Sequence, residues 1–290
     1  MDLIPVDDNL LRGWPLAKPG ARSDKEERGR TLVVGGSAEI PGAALLAGTA
    51  ALRAGAGKLT VATVQRMALA MAMALPEARV IGLPETAGGG VDAAGALLLK
   101  PLAPRANALL FGPGLQDEAA APLFVQTLLQ HLPPAVPLLL DALGLCAAPH
   151  VPPREGGLLI TPHAGEMAQL CGESKDEVQA DPVRCALEAA QRWHAVVVLK
   201  GSTTHVAAPD GRLWRHEGGN PGLATSGSGD ILAGLIAGLA ARGTPLEQAA
   251  VWGVALHARA GEQLAARMGG LGFLARELAA EIPHLMDTGT

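Results

Sequence analysis

The sequence GGNPGLATSGSGDILAGLIAGLAA, residues 218–241, places a loop of small residues directly before an apolar pattern of helical period. That pattern predicts a buried helix over 229–242. The first amides of a helix have no partner within it, and the helix dipole favours negative charge at that end. The amides of Gly227, Ser228 and Gly229 therefore form a candidate anion hole.

Asp230 lies in the first turn of this predicted helix and has two interpretations. In the first, it is an ordinary acidic residue that the helix dipole favours near an N-terminus. In the second, its carboxylate lies beside the anion hole and takes a proton from a hydroxyl group as a phosphoryl group arrives. Spacing alone leaves both interpretations open.

Apolar runs of strand length alternate with helix patterns along the chain, which is typical of an α/β fold. The predicted strands cover residues 31–35, 58–63, 109–111, 137–141, 158–161 and 195–200. The predicted helices cover residues 42–55, 65–74, 118–132, 164–171, 176–193, 229–242, 246–268 and 274–285. Because several strands are apolar on both faces, we expect a central, mostly parallel sheet with helices on both faces. A hairpin over 203–208 and 212–216 extends it.

Composition places the chain among globular proteins and excludes several kinds of partner. Its 290 residues are 49% hydrophobic and 18% charged, with a net charge of -5. This charge disfavours binding to nucleic acid or anionic membranes by bulk attraction. We expect a loosely docked lead-in over residues 1–30 and a single domain over 31–290.

The cysteines and the N-terminus indicate a cytoplasmic protein. Cys146, Cys171 and Cys185 are odd in number and lack C-x-x-C spacing, which argues against a disulfide framework or a zinc site. We therefore expect no metal ligands from the protein. The first 14 residues lack the apolar core of a signal peptide. The longest later apolar stretch, 231–241, is about half a membrane span.

Residues 31–285 resemble the ribokinase-like family of NAD(P)H-hydrate dehydratases, which are carbohydrate-kinase-related repair enzymes. The resemblance covers nearly the whole chain and rests on several motifs in the family's order. These are Gly35-Gly36-Ser37 with Gly42-Ala43-Ala44, Gly112-Pro113-Gly114, Asp141-Ala142, residues 161–166, Leu199-Lys200-Gly201 with Thr204, residues 227–230 and residues 275–283.

The resemblance implies two sets of ligand-binding residues. Those implied to contact the hydrated dinucleotide are Ala43, Gly114, His163 and Asp230. Those implied to contact the adenine nucleotide are Lys200, Gly201, Ser202, Thr203, Thr204 and Gly229. Without the resemblance, His163 is more simply interpreted as a loop residue. Lys200 lies at a strand end, where open α/β sheets bind ligands, and this position favours a functional role over that of a solvated lysine.

Two segments depart from the family's pattern. The family usually has an aromatic residue near Ile40-Pro41, and it usually has Gly-Gly-Thr-Gly-Asp where this chain has Ser226-Gly227-Ser228-Gly229-Asp230. Ser228 keeps the hydroxyl group, so we expect little loss there. The missing aromatic residue bears on how the substrate ring is stacked.

The implied activity is ADP-dependent dehydration of hydrated NADH or NADPH (NADHX or NADPHX), with Asp230 as the base, Mg²⁺ on the phosphates, and AMP and phosphate as products. An ATP-dependent kinase of a small alcohol, of hydroxymethylpyrimidine or thiazole type, is the alternative enzyme. A nucleotide-binding module without catalysis is a third possibility. The family often carries an epimerase domain, and about 30 residues before the first strand leave no room for one. We therefore expect the epimerase to be a separate protein. We also expect the chain to form a homo-oligomer, for which a tetramer is one arrangement.

Overall fold

Ten strands form one sheet in the computed structural model, which describes residues 3–18, 20 and 24–288. In chain order they are β1 (Leu3–Pro5), β2 (Arg30–Val34), β3 (Lys58–Val64), β4 (Ala78–Leu83), β5 (Ala108–Phe111), β6 (Leu138–Leu140), β7 (Leu158–Ile160), β8 (Ala195–Leu199), β9 (Thr203–Ala207) and β10 (Leu213–Glu217). Their order across the sheet is β1-β10-β9-β8-β7-β6-β5-β2-β3-β4. Only β9 runs antiparallel to its neighbours, so among the described residues the mostly parallel sheet with an appended hairpin is confirmed.

Ten α-helices surround the sheet in the described part of the chain. They are α1 (Asp8–Gly13), α2 (Pro41–Arg53), α3 (Ala68–Ala74), α4 (Ala120–Leu129), α5 (Ala164–Cys171), α6 (Lys175–Ala180), α7 (Pro182–Trp193), α8 (Ser228–Ala241), α9 (Leu246–Met268) and α10 (Ala275–Thr288). Short 3-10 helices cover Gln65–Met67, Ala93–Leu99, Ala103–Arg105, Ala142–His150 and Pro221–Leu223.

The strand side chains divide between two hydrophobic cores, one on each face of the sheet. Leu110 and Leu139 pack with α2, α8, α9 and α10. Their neighbours Leu109 and Leu138 pack on the other face with α4, α5 and α7. This alternation follows from the two-residue period of a strand. The prediction of helices on both faces is therefore confirmed.

The chain reverses its direction of travel across the sheet between β2 and β5. From β2 it proceeds outward through β3 and β4, and it then returns to place β5 on the other side of β2. The loops that follow β2 and β5 meet at this point, where the Gly36 amide donates to the Pro113 carbonyl over 2.7 Å. Open parallel sheets bind ligands at such a reversal, beside the carboxyl ends of the strands.

Two glycines of α8 let this helix lie directly against α2. A Cβ atom at Gly234 would lie 2.1 Å from the Ala47 carbonyl oxygen, and one at Gly238 would lie 2.4 Å from that of Ala51. The contacts advance by four residues on both helices, so the helices run in the same direction. One turn earlier, the same register brings Ala43 level with Asp230 at the reversal point.

The N-terminal segment packs more firmly than the sequence suggested. Strand β1 pairs with β10, and the Trp14 ring stacks on Trp214 with centroids 5.8 Å apart. The Trp14 carbonyl also accepts a hydrogen bond from Trp252 Nε1 over 2.7 Å. The expectation of loose docking is wrong for residues 3–18. The division into a lead-in and one domain stays a prediction.

The sequence offers a helix restart at Asp181-Pro182 within the predicted helix over 176–193, and the structure divides it there into two helices. Pro182 disfavours helical dihedral angles at Asp181, which has φ -141° and ψ 70°. Strand β4 was not predicted. It is an edge strand whose side chains are mostly half-exposed, so it lacks the apolar run of the central strands. Among the described residues, no helix combines the length and apolarity needed to cross a membrane.

Candidate active site

An ion-pair cluster, buried at Asp141 and half-buried at Lys200 and Glu166, lies at the carboxyl ends of β6, β7 and β8. Lys200 Nζ is 3.2 Å from Asp141 Oδ1 and 3.7 Å from Glu166 Oε2. The Thr161 hydroxyl donates to Asp141 Oδ1 over 2.6 Å. Burial acts to lower the pKa of Lys200, but the neighbouring carboxylates outweigh it and the pKa rises. The ammonium group therefore stays charged at neutral pH.

Asp230 faces this cluster from the first turn of α8. A Cβ atom at its neighbour Gly229 would lie 3.4 Å from Lys200 Nζ, which places the ammonium group against this turn. The pKa of Asp230 is raised to about 7, chiefly by burial and in part by Asp141 and Glu166, while Lys200 acts to lower it. A carboxyl group with this pKa exchanges a proton readily at neutral pH.

The N-terminus of α8 is an incomplete version of the predicted anion hole. Gly227 precedes the helix with φ +88°, a left-handed conformation that glycine adopts without strain, and no side chain caps the helix. Within the described chain, the amides of Gly227 and Gly229 have no hydrogen-bond partner. The Ser228 amide donates to the Thr225 carbonyl over 3.2 Å. The prediction that this third amide is free was therefore wrong.

Ala43 and Gly114 lie against each other at the reversal point. A Cβ atom at Gly114 would be 2.7 Å from the Ala43 Cβ and 2.4 Å from the Ile40 carbonyl oxygen. Gly114 also has φ +67°, so its position suits glycine for two reasons. Ile40, beside this pair, is 48% exposed and lies where the family's aromatic residue is expected.

His163 has a structural role that the sequence analysis did not identify. Its Nδ1 accepts hydrogen bonds from the amides of Gly165 and Glu166 over 3.0 and 3.2 Å, which caps α5. Glu166 Oε2 accepts the His163 amide in return, over 2.7 Å. The His163 side chain is 58% exposed, and its Nε2 lies 3.6 Å from Glu166 Oε1.

The predicted nucleotide-binding residues other than Gly229, which lies on α8, occupy the connection between β8 and β9. Gly201 and Ser202 are exposed, and Thr203 and Thr204 begin β9. The Thr204 hydroxyl donates to the Gly201 carbonyl over 3.5 Å. This connection starts at Lys200, so it meets the ion-pair cluster at one edge. The binding roles of these residues stay predictions.

Asp141 and Glu166 were not among the predicted site residues. The sequence did contain a signal for Asp141, because this residue directly follows the apolar strand Leu138–Leu140 and so lies at the carboxyl end of a strand, where such sheets bind ligands. Glu166 had none, since an acidic residue in a first helical turn is common. Among the described residues, no group of three or more His, Cys, Asp or Glu side chains is placed to hold a metal ion.

Comparison with known proteins points to one family. The family model described as NAD(P)H-hydrate dehydratase matches residues 31–284. A Xanthomonas campestris pv. campestris protein named ADP-dependent (S)-NAD(P)H-hydrate dehydratase is 49% identical, over 96% of this chain and 94% of that protein. A Moorella thermoacetica protein named bifunctional NAD(P)H-hydrate repair enzyme is 38% identical, over 96% of this chain and 53% of its own length.

A solved structure matches at full length. It is the crystal structure of the ADP/ATP-dependent NAD(P)H-hydrate dehydratase from Bacillus subtilis, co-crystallised with ATP and Mg²⁺. It is 32% identical to this chain and has a TM-score of 0.86, and the match covers 100% of both chains.

Proposed function

The chain belongs to the NAD(P)H-hydrate dehydratase family, and from this premise we infer that it is an ADP-dependent (S)-NAD(P)H-hydrate dehydratase. It is a hydro-lyase of ribokinase-like fold that repairs hydrated NADH and NADPH. The relative that is 49% identical over 94% of its length carries this name, which favours the repair enzyme over the small-alcohol kinase.

The reaction proceeds by phosphoryl transfer from ADP to the substrate, followed by elimination of phosphate. The hydroxyl oxygen of the hydrated ring attacks the terminal phosphorus of ADP, its proton goes to a base, and AMP leaves. The lone pair of the ring nitrogen then expels the new phosphate group with cleavage of the carbon–oxygen bond. Loss of a proton from the adjacent ring carbon restores NADH or NADPH. Phosphorylation is needed because hydroxide is a poor leaving group.

The single observation that carries the mechanism is the environment of Asp230. Its pKa of about 7 makes it a base at neutral pH that still releases its proton afterwards. It lies at the uncapped N-terminus of α8, beside free amides. A hydroxyl group that enters there meets the base and the phosphoryl group together, which supplies the proximity such transfers require.

Lys200 and the α8 amides would hold the nucleotide phosphates. The ammonium group lies against Gly229 on a half-buried side chain, where solvent screens its charge less than at the surface. Gly227 and Gly229 offer amides to the transferring phosphoryl group. The turn over 201–204 continues from Lys200 and would contact the rest of the nucleotide, while Ala43, Gly114 and His163 would contact the hydrated dinucleotide.

Magnesium fits this site only when it is bound together with the nucleotide, through the nucleotide phosphates. Asp141, Glu166 and Asp230 surround an ammonium group, and the described residues contain no ligand set of their own for a metal. We propose that Mg²⁺ is bound chiefly by phosphate oxygens, where it would neutralise charge during transfer. The homo-oligomer, the separate epimerase and the cytoplasmic location stay predictions.

A direct assay tests the proposed function. The protein is incubated with hydrated NADH, Mg²⁺ and either ADP or ATP, and the absorbance of regenerated NADH is followed. We expect regeneration with ADP, and one AMP formed for each NADH. In a parallel incubation with a hydroxymethylpyrimidine or thiazole alcohol in place of hydrated NADH, consumption of ATP would support the kinase. Nucleotide binding without turnover in either incubation would support the regulatory module.

A further inference from the structure

A half-buried histidine on α9 contacts the first residue of α8 at two atoms. His257 Nε2 is 2.9 Å from Ser228 Oγ and 3.1 Å from the Ser228 carbonyl oxygen. Ser228 itself is 5% exposed. The mechanism described above assigns no role to His257 or to the Ser228 hydroxyl. This pair nevertheless lies directly beside the amide of Gly229.

The geometry determines which histidine nitrogen carries the proton. A carbonyl oxygen only accepts hydrogen bonds, so a nitrogen 3.1 Å from it must be a donor. Burial lowers the pKa of His257 to about 4, so the ring is neutral near pH 7 and has one N–H group. That group is therefore at Nε2, and it is shared between the carbonyl oxygen and Oγ of Ser228.

This arrangement leaves the hydrogen of the serine hydroxyl free to donate. Oγ accepts from His257, and the described residues offer the hydroxyl no other partner. The backbone amide of Ser228 is bonded to Thr225 and cannot serve an anion. The hydroxyl is thus the one group of Ser228 that can complete the set of donors between Gly227 and Gly229.

We propose that His257 is a positioning residue that holds the Ser228 hydroxyl as a hydrogen-bond donor to the transferring phosphoryl group. This inference rests on the proposed function, since it assumes phosphoryl transfer at the N-terminus of α8. Charge on the phosphoryl oxygens is redistributed during transfer, so a donor placed there acts mainly on the rate of the chemical step. The proposal therefore concerns kcat more than nucleotide affinity.

Two matched pairs of single variants distinguish the contribution of the Ser228 hydroxyl group from that of the His257 side chain. Ser228→Ala removes the hydroxyl, whereas Ser228→Thr keeps it. His257→Asn carries an amide too short to reach the position of Nε2, whereas His257→Gln carries the same amide one methylene further. His205→Leu is a control at a buried histidine, whose Nδ1 has no partner among the described residues. Each variant is assayed for kcat and for the KM of ADP, beside its melting curve.

We expect Ser228→Ala and His257→Asn each to lower kcat at least about tenfold, with KM for ADP changed less than about threefold. The double variant should be no slower than the slower single variant, because both changes remove the same donor. Ser228→Thr, His257→Gln and His205→Leu should keep most of the wild-type kcat.

The proposal is overturned if Ser228→Ala keeps at least half of kcat, if the two losses multiply in the double variant, or if only KM rises. If His257→Asn does not fold, the two Ser228 variants still test the role of the hydroxyl group. Ser228→Thr, which keeps the hydroxyl group, must then retain the kcat that Ser228→Ala loses. A wild-type protein that makes no NADH with ADP or ATP would instead contradict the proposed function itself.

Discussion

At the scale of single residues, the role of Asp230 as the general base can be tested most sharply. Asp230→Asn keeps nearly the same size and should still fold and bind ADP, but it cannot accept the hydroxyl proton. General bases contribute roughly 10²–10⁴ in rate, so turnover should fall at least about a hundredfold. Turnover, ADP affinity and melting temperature are measured together. A variant with more than about a tenth of wild-type turnover would remove Asp230 from the mechanism.

The pH dependence supplies the control for this variant. Asp230 must be deprotonated to act, so wild-type kcat/KM should rise as pH passes about 7, and the variant should lack this rise. Because the pKa is raised in the folded state, the stabilising contribution of Asp230 is complete below its unfolded value of about 4 and is lost as pH rises through about 7. Above that range the variant should melt at a higher temperature than wild type.

Lys200 has a separate prediction. Lys200→Met removes the cation that faces Asp141 and Glu166, so ADP affinity should fall by roughly ten- to a hundredfold, as expected for a hydrogen bond between charged groups. The rise of kcat/KM should also move to higher pH, because Lys200 holds the pKa of Asp230 down. Calorimetric titration with ADP measures the first effect. Lys100→Met, at an exposed lysine, is the matched control, and equal ADP affinity in both variants would refute the assignment.

The sequence predicted these residues unevenly, for physical reasons. Asp230 and the glycines before it were visible because they lie next to each other at a helix start. The contacts of Lys200 with Asp141 and Glu166 join residues that follow three different strands, so only the strand order brings them together. The bond that occupies the Ser228 amide depends on the loop conformation, which spacing does not encode.

At the scale of elements, the packing of α2 on α8 positions Ala43 and Asp230 and is sensitive to one Cβ atom. An alanine inside a helix normally stabilises it by up to about 1 kcal/mol over glycine. Gly234→Ala should do the opposite, because its Cβ would lie 2.1 Å from the Ala47 carbonyl oxygen. We expect the free energy of unfolding to fall by about 1–3 kcal/mol, measured by denaturant titration.

Gly13→Ala is the control, since a Cβ atom at Gly13 meets nothing within 4 Å. A Gly234→Ala variant as stable as wild type would show that α2 and α8 are less tightly packed than described. The strands and helices of this region were predicted because their apolar runs are long. Strand β4 was not, since the exposed Arg79 and the half-exposed Gly82 interrupt its apolar pattern.

At the scale of the whole molecule, the reversal between β2 and β5 explains why the site lies where it does. It brings the loops after β2 and β5 together and aligns the N-termini of α2 and α8 over the sheet. Alternating strands and helices predicted the sheet but not its order. The docking of residues 3–18 was not predicted either, because β1 is only three residues long and its partner β10 lies more than 200 positions later in the chain.

The central claim is that the substrate hydroxyl receives a phosphoryl group before it leaves. Hydrated NADH that carries heavy oxygen in its ring hydroxyl is incubated with the protein and ADP, and the released phosphate is analysed by mass spectrometry. If the hydroxyl oxygen attacks phosphorus and its bond to carbon then breaks, each phosphate carries one heavy oxygen atom. Unlabelled phosphate, with the heavy oxygen in water, would contradict the account.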